Sequence, residues 1–142
     1  MIPPRLSLVT LGVASVARSR AFYEALGWRA SSASQDGVAF FQLGAMVLGL
    51  FGRAELAQDA GVTDTPAGFA GFSLAQNLAS REDVDSAYAA AIAAGATSLK
   101  SPQPAFWGGY TAYFADPDGF AWELAHNPFF ALDASGIVTL PK

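Results

Sequence analysis

Few side chains in this sequence could do chemistry, and they are thinly spread. Its 142 residues include no cysteine and one histidine, His126, so thiolate nucleophiles, disulfides and zinc–thiolate sites are excluded. Three residues before His126 stands Glu123, in a run from Phe120 to His126 that reads as a strand. Side chains alternate along a strand, so Glu123 and Ala125 share one face while Trp122, Leu124 and His126 share the other. If Glu123 points into an interior space, His126 points towards a helix layer or the strand end. A bulge near Asn127-Pro128 would reverse that parity.

A carboxylate among apolar neighbours has two chemical uses. It can act as a general base on a bound substrate, or anchor a cationic or hydroxylated ligand. The plainer alternative is a structural pairing with Thr10 or a backbone amide. No nucleophile, second carboxylate or partner histidine is evident beside it, which weighs against proton transfer. The second candidate is the stretch Gln103-Pro-Ala-Phe-Trp-Gly-Gly-Tyr110, read as the lip of a pocket. Gly108-Gly109 lets backbone approach a ligand, and Phe106, Trp107 and Tyr110 offer flat surfaces for planar molecules or cations. The same rings would equally suit a module or subunit interface.

Composition narrows the partners. A hydrophobic share of 52% with 14% charged residues describes a buried globular core, not a disordered chain. Net charge is −4, and the 8 Lys and Arg residues are scattered, so no nucleic-acid face is expected. Apolar runs such as Ala45 to Phe51 are too short to span a bilayer, so no membrane partner is expected. Met1 to Arg5 lacks the pattern of a signal peptide, and a soluble cytoplasmic protein is the default expectation.

The elements that must position these residues repeat. Leu6 to Val13 reads as a strand and Val16 to Leu26 as a helix that Gly27 ends. A turn at Gln35-Asp36-Gly37 precedes strands at Val38 to Leu43 and Met46 to Phe51. A connector from 53 to 68 holds a short helix, Ala54 to Ala60, and turn chemistry at Thr63-Asp-Thr-Pro66. The plan then restarts with a strand at Phe72 to Leu78. Ser80 and Asp83 form a capping-box pattern ahead of a helix with Val84, Tyr88 and Ile92 on its buried face, ended by Gly95. Thr97 to Lys100 can pair briefly, and Tyr110 to Ala115 is a strand. Asp116-Pro-Asp-Gly119 turns the chain into Phe120 to His126. Laying Leu8 on Ser73 sets an offset of 65 residues, and the helix-ending glycines then match with three extra residues. Phe40, Phe41, Phe69, Phe72, Phe114 and Trp122 are expected in the core. The apolar tail, Pro128 to Leu132 and Ile137 to Leu140, is expected to pack on the domain or on a second subunit.

The stretch Ser19-Arg-Ala-Phe-Tyr-Glu-Ala-Leu-Gly-Trp28 resembles the first-helix signature of the glyoxalase/bleomycin-resistance/dioxygenase superfamily, the vicinal oxygen chelate proteins. Asp116-Pro-Asp-Gly-Phe-Ala-Trp-Glu-Leu124 resembles its last-hairpin signature, and the likeness runs from about Leu6 to Pro128. It implies an α+β fold of two tandem βαβββ modules whose curled sheets enclose a cleft, commonly with a homodimer completing the site. The whole chain, 1–142, is then one domain: module one at about 5–52, connector 53–68, module two at about 69–127 and a tail at 128–142.

The resemblance also implies four metal-ligand positions. They fall here at Leu8, near Leu48, at Ser73 and at Glu123, and the carboxylate alone keeps ligand chemistry. No metal and no cofactor are therefore expected. The expected function is a small-molecule-binding protein holding an aromatic or cationic ligand in the cleft, on Phe106, Trp107, Tyr110 and Glu123 with Thr10 and Ser73 beside them. The alternatives are a metal-dependent lyase, isomerase or dioxygenase, and a cofactor-free enzyme in which Glu123 is the catalytic base.

Overall fold

The structure is a computed structural model that describes residues 1–2, 4–65 and 68–142. Pro66, which closes the expected turn at Thr63, lies outside the described residues. The fold is mixed α+β, and the chain divides into two compact units, Met1–Gly68 and Phe69–Lys142.

The first unit runs β1 (Leu8–Val13), α1 (Val16–Ala25), β2 (Val38–Leu43), β3 (Met46–Gly52) and α2 (Arg53–Ala60). Its sheet has the order β1-β3-β2, with β1 parallel and β2 antiparallel to β3. An isolated bridge between Ala30 and Phe41 extends the far edge. Ser15 caps α1 by accepting from the Arg18 amide at 3.1 Å, and Gly27 closes it at φ 92°, where a side chain would be strained. Fully buried Tyr23 sits at the centre, its ring stacked on Trp28 at 5.4 Å and tilted to Phe41 at 6.0 Å. Leu11, Val13, Ala39, Leu48 and Leu50 complete this core.

In the second unit the order is β4 (Leu74–Asn77), α3 (Arg81–Ala93), β5 (Thr97–Pro104), β6 (Tyr110–Ala115) and β7 (Ala121–His126). Its sheet has the order β4-β7-β6-β5, the plan of the first with a full strand where that unit has only a bridge. Ser80 caps α3 by accepting from the Asp83 amide at 3.1 Å. The Asp116 side chain holds the 116–119 turn, accepting from the Asp118 and Phe120 amides at 2.9 Å. A small hairpin of β8 (Ala131–Leu132) and β9 (Val138–Thr139) follows. Among the described residues, no helix is long and apolar enough to cross a membrane.

Several expectations need correction. Ile92 is 39% exposed, while Val84 and Ala91 are buried. A four-residue spacing drifts about 40° per step round a helix of 3.6 residues per turn, so two steps carry Ile92 off the face that Ala91 keeps. The brief pairing expected at Thr97 to Lys100 is an eight-residue strand whose register against β6 shifts between Ser98 and Lys100 and again between Lys100 and Gln103. That strand takes Gln103 and Pro104 out of the expected lip. Phe69 and Phe72 are exposed rather than core, because β4 begins only at Leu74 and neither ring lies in a strand.

Candidate functional site

Two faces of the second unit's sheet separate the candidate residues. Ala112, Phe114, Trp122 and Leu124 are buried on one face, and α3 packs on β5, β6 and β7 from that side. Tyr110 belongs to the same face by alternation, and its hydroxyl donates to Asp85 on α3 at 2.6 Å. The Arg81 guanidinium lies 5.2 Å from the Tyr110 ring centre. The bond to Asp85, slight burial and that carboxylate's charge raise the Tyr110 pKa, against a smaller opposing effect of Arg81.

Glu123 is on the opposite face. Strand register places it level with Tyr113 on β6 and with Ala75 on β4. The Tyr113 hydroxyl donates a hydrogen bond to Glu123 Oε2. This bond, then burial, then the carboxylate's charge push the Tyr113 pKa up to about 12. Tyr113 was missed as a site residue, although the signal was there. The Asp116-Pro-Asp-Gly119 turn pairs Ala115 with Ala121, and two residues further from the turn Tyr113 must face Glu123.

The aromatic lip stands apart from this pair. It is the loop between β5 and β6, closed by the Ala105 amide donating to the Gly109 carbonyl at 2.8 Å. Phe106 is fully exposed at its tip, and Trp107 folds back over the α-carbon of Gly109. Phe129 packs against Gly108. Tyr113 lies three residues along β6 from Tyr110, about 10 Å at the rise of a strand, and the tip lies beyond that. Glu123 and Tyr113 therefore form one group, Phe106 and Trp107 a second, and Tyr110 joins neither.

Thr10 lies in the first unit, level with Gly49 on β3. Ser73 is exposed and just precedes β4. His126 shares the α3 face of its strand and sits at its end. Its Nδ1 is 3.2 Å from the Leu78 carbonyl oxygen. A carbonyl can only accept, so in the neutral ring Nδ1 carries the hydrogen and Nε2 the lone pair. Around it Leu78, Ala79, Asn127, Pro128, Phe130 and Leu132 line an open hollow of about 220 Å³.

The donor set does not fit a metal ion. Leu8, Thr10, Val47 and Gly49 share one face of the first sheet by register, whereas buried Leu48 points into the core. Glu123 is level with Ala75, two residues past Ser73, just as Gly49 is level with Thr10, two past Leu8. The first-unit counterpart of Glu123 is thus Gly49, not Leu48. A side chain at Gly49 would meet Thr10 Oγ1 at 3.2 Å, the Phe40 ring at 3.5 Å and Leu8 at 3.6 Å. Among the described residues, no three of the His, Cys, Asp and Glu side chains gather as a metal site.

The family model described as Glyoxalase/Bleomycin resistance protein/Dioxygenase superfamily matches residues 5–124. The chain belongs to this superfamily. A solved structure described as a glyoxalase-related enzyme from Fulvimarina pelagi is 31% identical, with a TM-score of 0.87 over 98% of this chain and 99% of that one. A glyoxalase/bleomycin resistance protein/dioxygenase family enzyme from Burkholderia phytofirmans PsJN is 26% identical, with a TM-score of 0.73 over 84% and 96%. Lactoylglutathione lyase from Agrobacterium tumefaciens, at 20% identity and a TM-score of 0.68 over 89% and 96%, shares the fold. No curated protein matches the chain.

Proposed function

We propose that this protein binds a small organic molecule without a metal ion, with Glu123 as the polar anchor. One observation carries the reading. Glu123 is half-buried and held by a neutral phenol, while Leu8, Gly49 and Ser73 stand where metal chemistry would need nitrogen or carboxylate donors. A carboxylate placed this way favours a ligand that brings its own hydrogens or charge. Exposed Phe106, Phe129 and Leu140 support the further reading that the chain works as a homodimer.

A second reading draws on the Fulvimarina pelagi relative, which is described as an enzyme. In it Glu123 takes a proton from the bound molecule through Oε1, the oxygen that Tyr113 does not hold.

Elemental analysis of protein purified without chelator, followed by a thermal-shift screen against divalent ions and small organic cations, tests the proposal. Ligand stabilisation with no bound metal supports it. Stoichiometric metal, or stabilisation by divalent ions alone, overturns it. Turnover that Glu123→Gln abolishes would select the second reading.

A further inference from the structure

Around Glu123, the face turned away from α3 has a particular make-up. Ala121 and Ala125 flank it on its own strand, each about 6.6 Å along at two strand rises, and Ala75 lies level with it on β4. Three of its four neighbours on this face are thus methyl groups, and the fourth is Tyr113. In the next row Thr111, Ala125 and Asn77 lie level, bringing a hydroxyl and an amide. Lys100, exposed, pairs with Tyr113 from β5, so β6 stands between it and Glu123.

Among the described residues Glu123 has one hydrogen-bond donor, Tyr113, and no basic partner. A half-buried carboxylate loses part of its hydration, and one neutral donor restores only some of it. The methyl groups neither donate nor stand tall, so none of the three alanines can satisfy Oε1. A cation set there would recover the missing interaction, a neutral amide would recover less, and an anion would be repelled.

We infer that this face is a seat selective for small planar organic cations of the amidinium type, and that Tyr113 is the positioning residue that turns Glu123 to receive them. This rests on the reading of Glu123 as a ligand anchor. Tyr113 holds Oε2, which leaves Oε1 outside that bond. The phenol need not touch the ligand to act in this way.

Three probes of one shape and different charge test the inference: benzamidinium, benzamide and benzoate, titrated calorimetrically into the full chain. Benzamidinium is expected to bind at least about tenfold more tightly than benzamide, the size of one charge-assisted hydrogen bond, with benzoate weakest. Glu123→Gln is expected to erase the preference for the cation. Tyr113→Phe keeps the ring and is expected to cut that preference several-fold while benzamide affinity stays as it was. A merely structural role for Tyr113 would weaken both probes together, and that result overturns the inference. So does binding with no discrimination by charge in the unsubstituted protein, while the binding reading stands. Failure of all three probes to bind also overturns the inference, while the wider binding reading is decided by the metal content and the thermal-shift screen.

Discussion

Tyr113 and Glu123 stand directly opposite each other across β6 and β7, and the phenol donates its proton to the carboxylate. The pair is half-buried on the sheet face away from α3, where removing either partner leaves the other without its hydrogen bond. Its consequences can be read from the phenol, because a tyrosine reports its own ionisation in the ultraviolet.

Titrating the absorbance near 295 nm should show a late tyrosine step at about 12. Glu123→Gln replaces a charged acceptor by a neutral, weaker one and should move that step back towards the usual value near 10. The sign for stability follows. A phenol whose folded pKa is raised contributes stability that is fully present below pH 10 and is lost as pH climbs to about 12. The unsubstituted protein should therefore lose more stability between pH 9 and pH 12 than Tyr113→Phe does. Equal losses in urea melts would refute the coupling.

Tyr110 provides the matching test on the other face. Its hydroxyl bonds Asp85, and this raises its pKa as well. Asp85→Asn should advance a tyrosine step distinct from the one that Glu123→Gln moves. If both substitutions shift the same step, the two tyrosines are not on separate faces.

Core and surface should respond to truncation in opposite order from a simple count of apolar spacing. Phe41, buried beside Tyr23, should cost about 3–5 kcal/mol when changed to Ala. Ile92→Ala should cost about 1 kcal/mol or less, because the side chain is 39% exposed. Denaturant unfolding compares the two directly.

That contrast shows where the sequence was informative. The strands Val38–Leu43, Met46–Gly52 and Tyr110–Ala115 were legible because β-rich runs end at turns whose residues admit few dihedrals. Gly27 and Gly95 were legible as helix ends because both sit at positive φ. The length of β5 was not, since its Ser, Pro and Gln residues carry no strand preference and cross-strand pairing to β6 decides it. At the candidate site, Glu123 was singled out by the resemblance of the Asp116–Leu124 stretch to the last-hairpin signature. Its partner needed the hairpin register, and the separation of Tyr110 from it needed strand parity. Gly49 went unremarked because the register of β1 on β3, not composition, makes it the counterpart of Glu123.

Gly12 and Gly49 should differ when each is changed to Ala. At Gly49 the new methyl meets the Thr10 hydroxyl at 3.2 Å and the Phe40 ring at 3.5 Å, and both are side chains that can give. At Gly12 it meets Leu56 at 3.2 Å and the α-carbon of Arg53 at 3.3 Å, which is helix backbone and cannot. Gly12→Ala should cost about 1–3 kcal/mol by prying α2 off β1, and Gly49→Ala about 1 kcal/mol or less. Thermal melts giving the reverse order would show that the β1–α2 packing is looser than these distances imply.

Gly109 offers the sharpest local test, because Trp107 lies folded over its α-carbon. A methyl group there would overlap the indole, so Gly109→Ala must expel the ring from its seat. Little global stability should be lost, since Trp107 is on a loop and already 37% exposed. Acrylamide quenching of tryptophan fluorescence should rise, while the melting temperature moves little. Trp122, buried against Phe114, and Trp28, stacked on Tyr23, supply an unchanged background from elsewhere in the chain. The same variant separates the two aromatic roles read from the sequence. If the loop rings hold ligand together with Glu123, expelling Trp107 should change benzamidinium affinity. If Glu123, held by Tyr113, binds without the loop, that affinity should stay within about twofold of the unsubstituted protein.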